Sequence, residues 1–308
     1  MTLFSIVVVT KNNAPTIRHV LSSTLTLADK YDVELIMVDG NSKDNTPKIL
    51  GDFAEKHRNY FISVKILRDP GISSSYARHL GFKNSIGDVL IYLDGDTPLS
   101  SSFKYHLERE LEDSDLISPI HECVPIDEAT RVFNLFMKTV SYIQTEITTI
   151  VGKVVNDPSI LPPARIFKRK VLERMKGYPL SSRFFGEDRI ATAIAIRLGF
   201  RYKFSTQLKL FKIDEPGYRS YWRKHYRYAI GIHRDLSLLG KNILRGYIIT
   251  RRLNHINVLF PLLLLLYAGR SLVVSRNMRN AAEVLLMKYL IDLAMFTGDL
   301  KGFIHGNK

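Results

Sequence analysis

The chain of 308 residues is short of several things, and each shortage narrows what it can be. One cysteine, Cys123, excludes an internal disulfide and fits a reducing compartment. Acids are outnumbered: 30 Asp and Glu face 44 Lys and Arg, a formal charge of +14 that points to an anionic partner, namely nucleic acid, a phosphorylated substrate or an anionic membrane surface. Long apolar runs are missing. The charge-free stretch Val258–Gly269 is too short to cross a bilayer comfortably, which takes about 20 apolar residues, and Arg270 stops its extension. The opening residues MTLFSIVVVTKNN lack the basic start of a signal peptide. No triphosphate loop with its lysine and no G-x-G-x-x-G turn follows the first strand, so the usual triphosphate and dinucleotide fingerprints are absent. There is no internal repeat and no low-complexity linker.

What is present, up to about residue 118, is alternation. Phe4–Val9, Glu34–Val38, Val64–Leu67 and Val89–Leu93 read as strands. Between them lie helical spacings: one beginning near Pro15 with Ile17, Val20, Leu21 and Leu25, one with Thr46 as N-cap and Pro47 at the first helical position, and one over Tyr76–Asn84. Strands separated by helix-length segments predict an α/β fold with a mostly parallel sheet, whose ligands bind beyond the carboxyl ends of the strands. Polar residues collect at those ends: Thr10 and Asn12 after the first strand, Asp39 after the second, and Asp94-Gly95-Asp96 after the fourth. By itself the last group is either an acidic turn or a metal site, since Asp and Gly favour turns for local reasons.

From residue 119 to about 212 the chain is mixed. Ala164–Lys168 reads as a strand and Lys170–Lys176 as a short helix closed by Gly177. Glu187 and Asp188 open a helix with Ile190, Ile194 and Leu198 on one face; acids in a first turn also serve simply to complement the helix dipole. Between Pro216 and Arg252 nine basic residues accompany one acid, Asp235. Tyr218, Tyr221 and Trp222 recur at helical spacing beside an Arg219, Arg223, Arg227 stripe, and a second amphipathic stretch covers Ala281–Phe296. The aromatics suit either helix packing or a membrane interface, and the arginines either a solvated face or anionic headgroups. Cys123 is expected as a small buried side chain, and His19, His57, His106 and His121, lacking metal-ligand spacing, as surface or core residues.

Four stretches, FSIVVVTKNN, ELIMVDGNSKDNT, SYARHLGFKNSIGDVLIYLDGDT and ARIFKRKVLERMKGY with FFGEDRIATAIAIRLGF, resemble in their order the family 2 glycosyltransferases of GT-A fold over roughly residues 3–205. That resemblance, more distantly to membrane-resting members, implies roles position by position. Asp39 would contact the nucleobase, with Thr10 and Asn12 in the nucleotide-binding turn and Arg78 matching the arginine of an A-R-N stretch in which His79 stands where asparagine is usual. Asp94 and Asp96 would form the D-x-D motif holding Mg²⁺ or Mn²⁺ on the donor, and Asp188, with Glu187 beside it, would be the catalytic base. Val9, Lys11 and Gly40 also depart from the family pattern, and the Q-x-x-R-W motif of processive members is absent, implying transfer of one sugar.

The expected organisation is a nucleotide-sugar half, 1–118, an acceptor half, 119–212, and a helical membrane-associating region, 213–308. The expected partners are a UDP- or GDP-sugar, a lipid-linked or glycan acceptor and an anionic membrane surface, with no nucleic acid, at the cytoplasmic membrane face as a peripheral or monotopic protein. The competing readings are a nucleic-acid binder, suggested by charge alone, and a catalytically silent membrane adaptor on the same fold.

Overall fold

The computed structural model describes residues 2–151, 163–179, 187–235, 269–274 and 276–305. These fall into two compact units, one within Met1–His121, Pro163–Arg183 and Glu187–Ile213, the other within Glu122–Pro162 and Asp214–Lys308. The units are not contiguous in sequence, so residues 119–212 are shared between both.

The first unit is built on a seven-stranded sheet of order β3-β2-β1-β4-β6-β5-β7. Strands β1 (Phe4–Thr10), β2 (Val33–Asp39), β3 (Ser63–Arg68) and β4 (Val89–Asp94) are mutually parallel; β5 (Leu116–Cys123) and β6 (Ile166–Lys168) follow, with β6 antiparallel to both β4 and β5. The outer strand β7 covers Tyr202–Lys212. The unbroken apolar runs of β1, β2 and β4 arise because both sheet faces are covered. Successive residues alternate between two cores: Ile6, Val8, Leu35, Met37, Ile91 and Leu93 face one, while Val7, Ile36, Val38, Leu90 and Tyr92 face the other. Each fully buried side chain of this size contributes about 1.5–3 kcal/mol of transfer energy.

Helices α1 (Ile17–Ala28), α2 (Thr46–His57) and α3 (Ser74–Lys83) fill the crossovers, as the alternation predicts, and a further helix not marked in the sequence, α4 (Phe103–Glu112), follows β4. One detail differs from expectation, and one expected closure is seen. Thr46 is the first residue of α2 and Asn45 the cap, because Thr46 Oγ1 is committed to the Asn13 N–H at 2.9 Å. Gly177, at φ +106°, closes α6 (Arg169–Arg174), and a Cβ there would fall 2.4 Å from the His79 ring.

Helix α7 (Glu187–Arg197) buries Ala191, Thr192, Ala193 and Ala195, whereas Ile190 and Ile194 are half-buried and Leu198 is exposed. The apolar face expected from Ile190, Ile194 and Leu198 is therefore not the packed one. Small side chains let the helix approach closely, and Thr192 Oγ1 accepts the Ala164 N–H at 2.8 Å, tying α7 to the start of β6.

The second unit contains α5 (Glu128–Val151), α8 (Tyr218–Asp235) and α9 (Met278–His305). Phe133, Phe136, Tyr221, Val284, Met287 and Ile291 share its core with Cys123. Tyr221 is 1% exposed and stacks on Phe133 at 4.2 Å, so it belongs to helix packing and offers no surface to a membrane. Tyr218 and the Arg219, Arg223, Arg227 stripe are exposed. Of the apolar stretch Val258–Gly269, residues 258–268 lie outside the described residues.

Candidate active site

The carboxyl edge of the parallel strands is organised by backbone geometry before any charge is considered. The turn after β4 is drawn against β1: the Gly95 N–H donates to Val9 O at 2.9 Å, and Thr16 Oγ1 donates to Gly95 O at 2.8 Å. A Cβ on Gly95 would fall 2.5 Å from Thr10 Oγ1 and 2.7 Å from Asn13 Oδ1, so only glycine passes there. Thr10, nearly buried, donates from Oγ1 to Asn13 Oδ1 at 3.1 Å.

The loops after β1 and β2 lock each other. Asn12, in the left-handed region at φ 53°, donates its N–H to Ser42 Oγ at 2.8 Å and accepts the Lys43 N–H at 2.8 Å. Asp39 is 6% exposed, pairs with Thr10 across the β1–β2 register, and accepts the Ser42 hydroxyl at 2.5 Å. Asp69, at the end of β3 and 2% exposed, accepts the N–H groups of Gly71 and Ile72 at 3.0 and 3.1 Å. It was not singled out on sequence.

The charges meet at the centre of this edge. Arg78, on α3 and 3% exposed, donates to Asp94 Oδ1 at 2.6 Å and lies over the Tyr178 ring. Arg165 Nη2 lies 3.2 Å from Asp94 Oδ2 and 3.0 Å from Asp188 Oδ2, so one nitrogen joins the first aspartate of the D-x-D stretch to the candidate base. Its backbone fixes it between strands: its N–H donates to Ile117 O at 2.9 Å, and its carbonyl accepts the Tyr92 N–H at 2.8 Å. Asp96 is paired with Lys212, which the last residues of β7 bring alongside through the Ile213 N–H to Asp96 O bond of 2.9 Å.

Enclosure by itself would raise the pKa of Asp94, but Arg165, Arg78 and Lys212 outweigh it and hold this carboxyl well below the usual carboxylate range. His121, on β5, responds oppositely. Burial first, then Arg165 and Lys212, push its pKa down to about 3, so the ring is neutral at pH 7.

Asp94, Asp96, Asp188 and Arg78 thus lie together, while Thr10, Asn12 and Asp39 form the adjoining strand-end loops. Glu187 is the first residue of α7, and its side chain is outside the described set. Arg165, Lys212 and His121 were missed; the one sequence signal was an arginine placed inside the apolar strand ARIF. Among the described residues no cluster of three or more His, Cys, Asp or Glu is placed to hold a metal. The protein would offer two carboxylates, Asp94 and Asp96. That fits Mg²⁺ or Mn²⁺, which take hard oxygen ligands and complete their shells with substrate phosphates and water. The Lys212 ammonium on Asp96 shows that this oxygen attracts a cation.

The model of Glycosyl transferase family 2 matches residues 5–176, more than half of the chain. The chain belongs to glycosyltransferase family 2. Among curated relatives of this family 2 protein, it is 25% identical over 233 residues to the probable glycosyltransferase YdaM of Bacillus subtilis, covering 74% of this chain and 54% of that one. It is 28% identical over 174 residues to an undecaprenyl-phosphate 4-deoxy-4-formamido-L-arabinose transferase of Photorhabdus laumondii, covering 56% and 50%. The chain spans about half the length of these relatives. Among solved structures it resembles mannosyltransferase PcManGT of Pyrobaculum calidifontis in complex with GDP-Man and Mn²⁺, at TM-score 0.59 and 17% identity, covering 96% and 86%. It also resembles S. aureus TarS 1-349 in complex with UDP-GlcNAc, at TM-score 0.54 and 16% identity, covering 99% and 92%. At such identities the likeness concerns the fold, which is of GT-A type.

Proposed function

We propose that the chain is an inverting transferase that moves one sugar from a UDP- or GDP-sugar to a hydroxyl or phosphate of a lipid-linked acceptor. The observation that carries this reading is the ion-paired path Arg78–Asp94–Arg165–Asp188 at the carboxyl edge of the parallel sheet. It links a donor-side carboxylate to a carboxylate suited to act as a base, and a single displacement needs one group on each side of the reacting carbon. Asp188 takes the acceptor's proton as the new bond forms, a contribution of about 10²–10⁴ in rate. Arg78 and Arg165 hold Asp94 ionised and add positive charge where the diphosphate leaves. Asp96 and Asp94 are the residues that would hold Mg²⁺ or Mn²⁺, and such an ion supplies a Lewis acid that offsets the charge of the leaving diphosphate.

The nucleotide classes are suggested by the UDP-GlcNAc and GDP-Man complexes of the structural relatives, and the lipid-linked acceptor by the undecaprenyl-phosphate transferase. The exposed Arg219, Arg223, Arg227 stripe supports placement against anionic lipid at the cytoplasmic membrane face. Among the described residues no helix is long and apolar enough to cross a membrane. A thermal-shift screen of UDP- and GDP-sugars with Mn²⁺ or Mg²⁺ tests the donor: at least one should raise the melting temperature in a metal-dependent way. No shift from any of them, alongside salt-sensitive binding of nucleic acid, would favour the competing reading.

A further inference from the structure

Two nitrogens at the candidate site are buried without a hydrogen-bond partner: Arg165 Nη1 and His121 Nε2. Neither is at a chain end or a mobile surface. Arg165 is 9% exposed and pinned by two inter-strand backbone bonds; His121 belongs to β5, the strand that pairs with β6 just after Arg165. Both residues feel the charges of Asp94 and Asp188. A buried polar atom left unpaired is costly, and two of them exposed to the charges of the same two carboxylates call for a ligand that pairs with them.

The chemistry of that ligand follows from what is already paired. Arg78, Arg165 and Lys212 stand against Asp94, Asp96 and Asp188, three cations against three carboxylates, so the cluster asks for no further charge at this point. A guanidinium nitrogen only donates, whereas a neutral imidazole donates from one nitrogen and accepts at the other. A hydroxyl-bearing, uncharged group satisfies both. Position gives the same answer: Arg165 touches Asp94 on the leaving-group side and Asp188 on the acceptor side, and the sugar undergoing transfer must lie between those two sides.

We infer that Arg165 and His121 form the subsite for hydroxyl groups of the transferred sugar and contribute to the choice of sugar. This rests on the transferase reading above. The test compares two affinities in one protein. UDP, GDP, UDP-GlcNAc, UDP-glucose and GDP-mannose are titrated by calorimetry with Mn²⁺ into the wild-type chain and into His121→Ala, with Arg165→Lys as a second variant. The expected result is that His121→Ala weakens the preferred nucleotide-sugar about tenfold, the worth of one hydrogen bond to a buried group, and leaves the matching nucleoside diphosphate within about twofold. Arg165→Lys keeps a charge between the carboxylates but lacks the second nitrogen; because Arg165 also faces the leaving diphosphate, it should weaken both ligands, the nucleotide-sugar the more. Equal weakening of nucleotide-sugar and nucleoside diphosphate, or no change in either, would overturn the inference while leaving the transferase reading intact. Wild-type protein that binds UDP or GDP but no nucleotide-sugar would overturn both.

Discussion

Each compact unit buries an ion pair, and the two are built differently. On α9 of the second unit, Lys288 bonds both carboxylate oxygens of Asp292 one turn away, and both side chains are at most 6% exposed. The pair is local, joining residues one turn apart on a single helix. In the first unit, Arg165 spreads one nitrogen over two carboxylates from β4 and α7 and leaves the other nitrogen unpaired, while Asp94 and Asp96 keep 29% and 26% of their side chains open. A closed pair serves the fold. An open array assembled from distant segments, with unpaired donors and accessible oxygens, is suited to receive a ligand.

Breaking the open array should give the largest effect. Asp96→Ala is expected to abolish transfer and metal-dependent nucleotide binding while melting cooperatively near the wild-type temperature; full activity of the variant, or of the wild type in excess EDTA, would break the contrast. The closed pair should respond in stability alone. Asp292→Ala removes the carboxylate that Lys288 bonds one turn away and should cost about 3–5 kcal/mol by urea denaturation, whereas Lys288→Met with Asp292→Leu, which removes both buried charges, should cost less. Turnover per folded molecule should be unchanged in the double variant.

Smaller effects are expected from the surface of the second unit. Replacing Arg219, Arg223 and Arg227 by Gln should weaken flotation with anionic liposomes roughly fivefold per arginine, and should do nothing with zwitterionic ones. The smallest concerns Cys123. Burial raises its thiol to about 11, so iodoacetamide at pH 8 should label it only after denaturant is added.

The sheet and half of the site were legible in sequence for one physical reason. In β1, β2 and β4 a doubly buried strand is a continuous apolar run, and the residues at its carboxyl end follow it directly in the chain. Thr10, Asp39, Asp94 and Asp96 are therefore marked by local pattern, and Arg78 and Asp188 were reached only through the family resemblance. Arg165, His121 and Lys212 carry no such mark. They arrive just before β6, on β5 and on β7, strands whose placement depends on long-range pairing, including an antiparallel match of Leu90 with Phe167 that no spacing announces. The packed face of α7 was misread because alanines, chosen for close approach, rank below isoleucine in any hydrophobic pattern. Tyr221 was ambiguous for the opposite reason: an aromatic beside an arginine stripe has the same spacing whether it meets lipid or, as here, Phe133.

The most direct test of the central claim is to separate donor binding from turnover in Asp188→Asn. The amide is nearly isosteric with the carboxylate but cannot take up the acceptor's proton at neutral pH. Once the donor is identified by thermal shift, its dissociation constant and the single-turnover rate are measured for wild type and variant. The expected result is an affinity within a fewfold of wild type and a rate lower by about 10²–10⁴. A variant that turns over at the wild-type rate, above all if Glu187→Gln is inactive, would contradict the assignment of Asp188 as the base at the end of the ion-paired path.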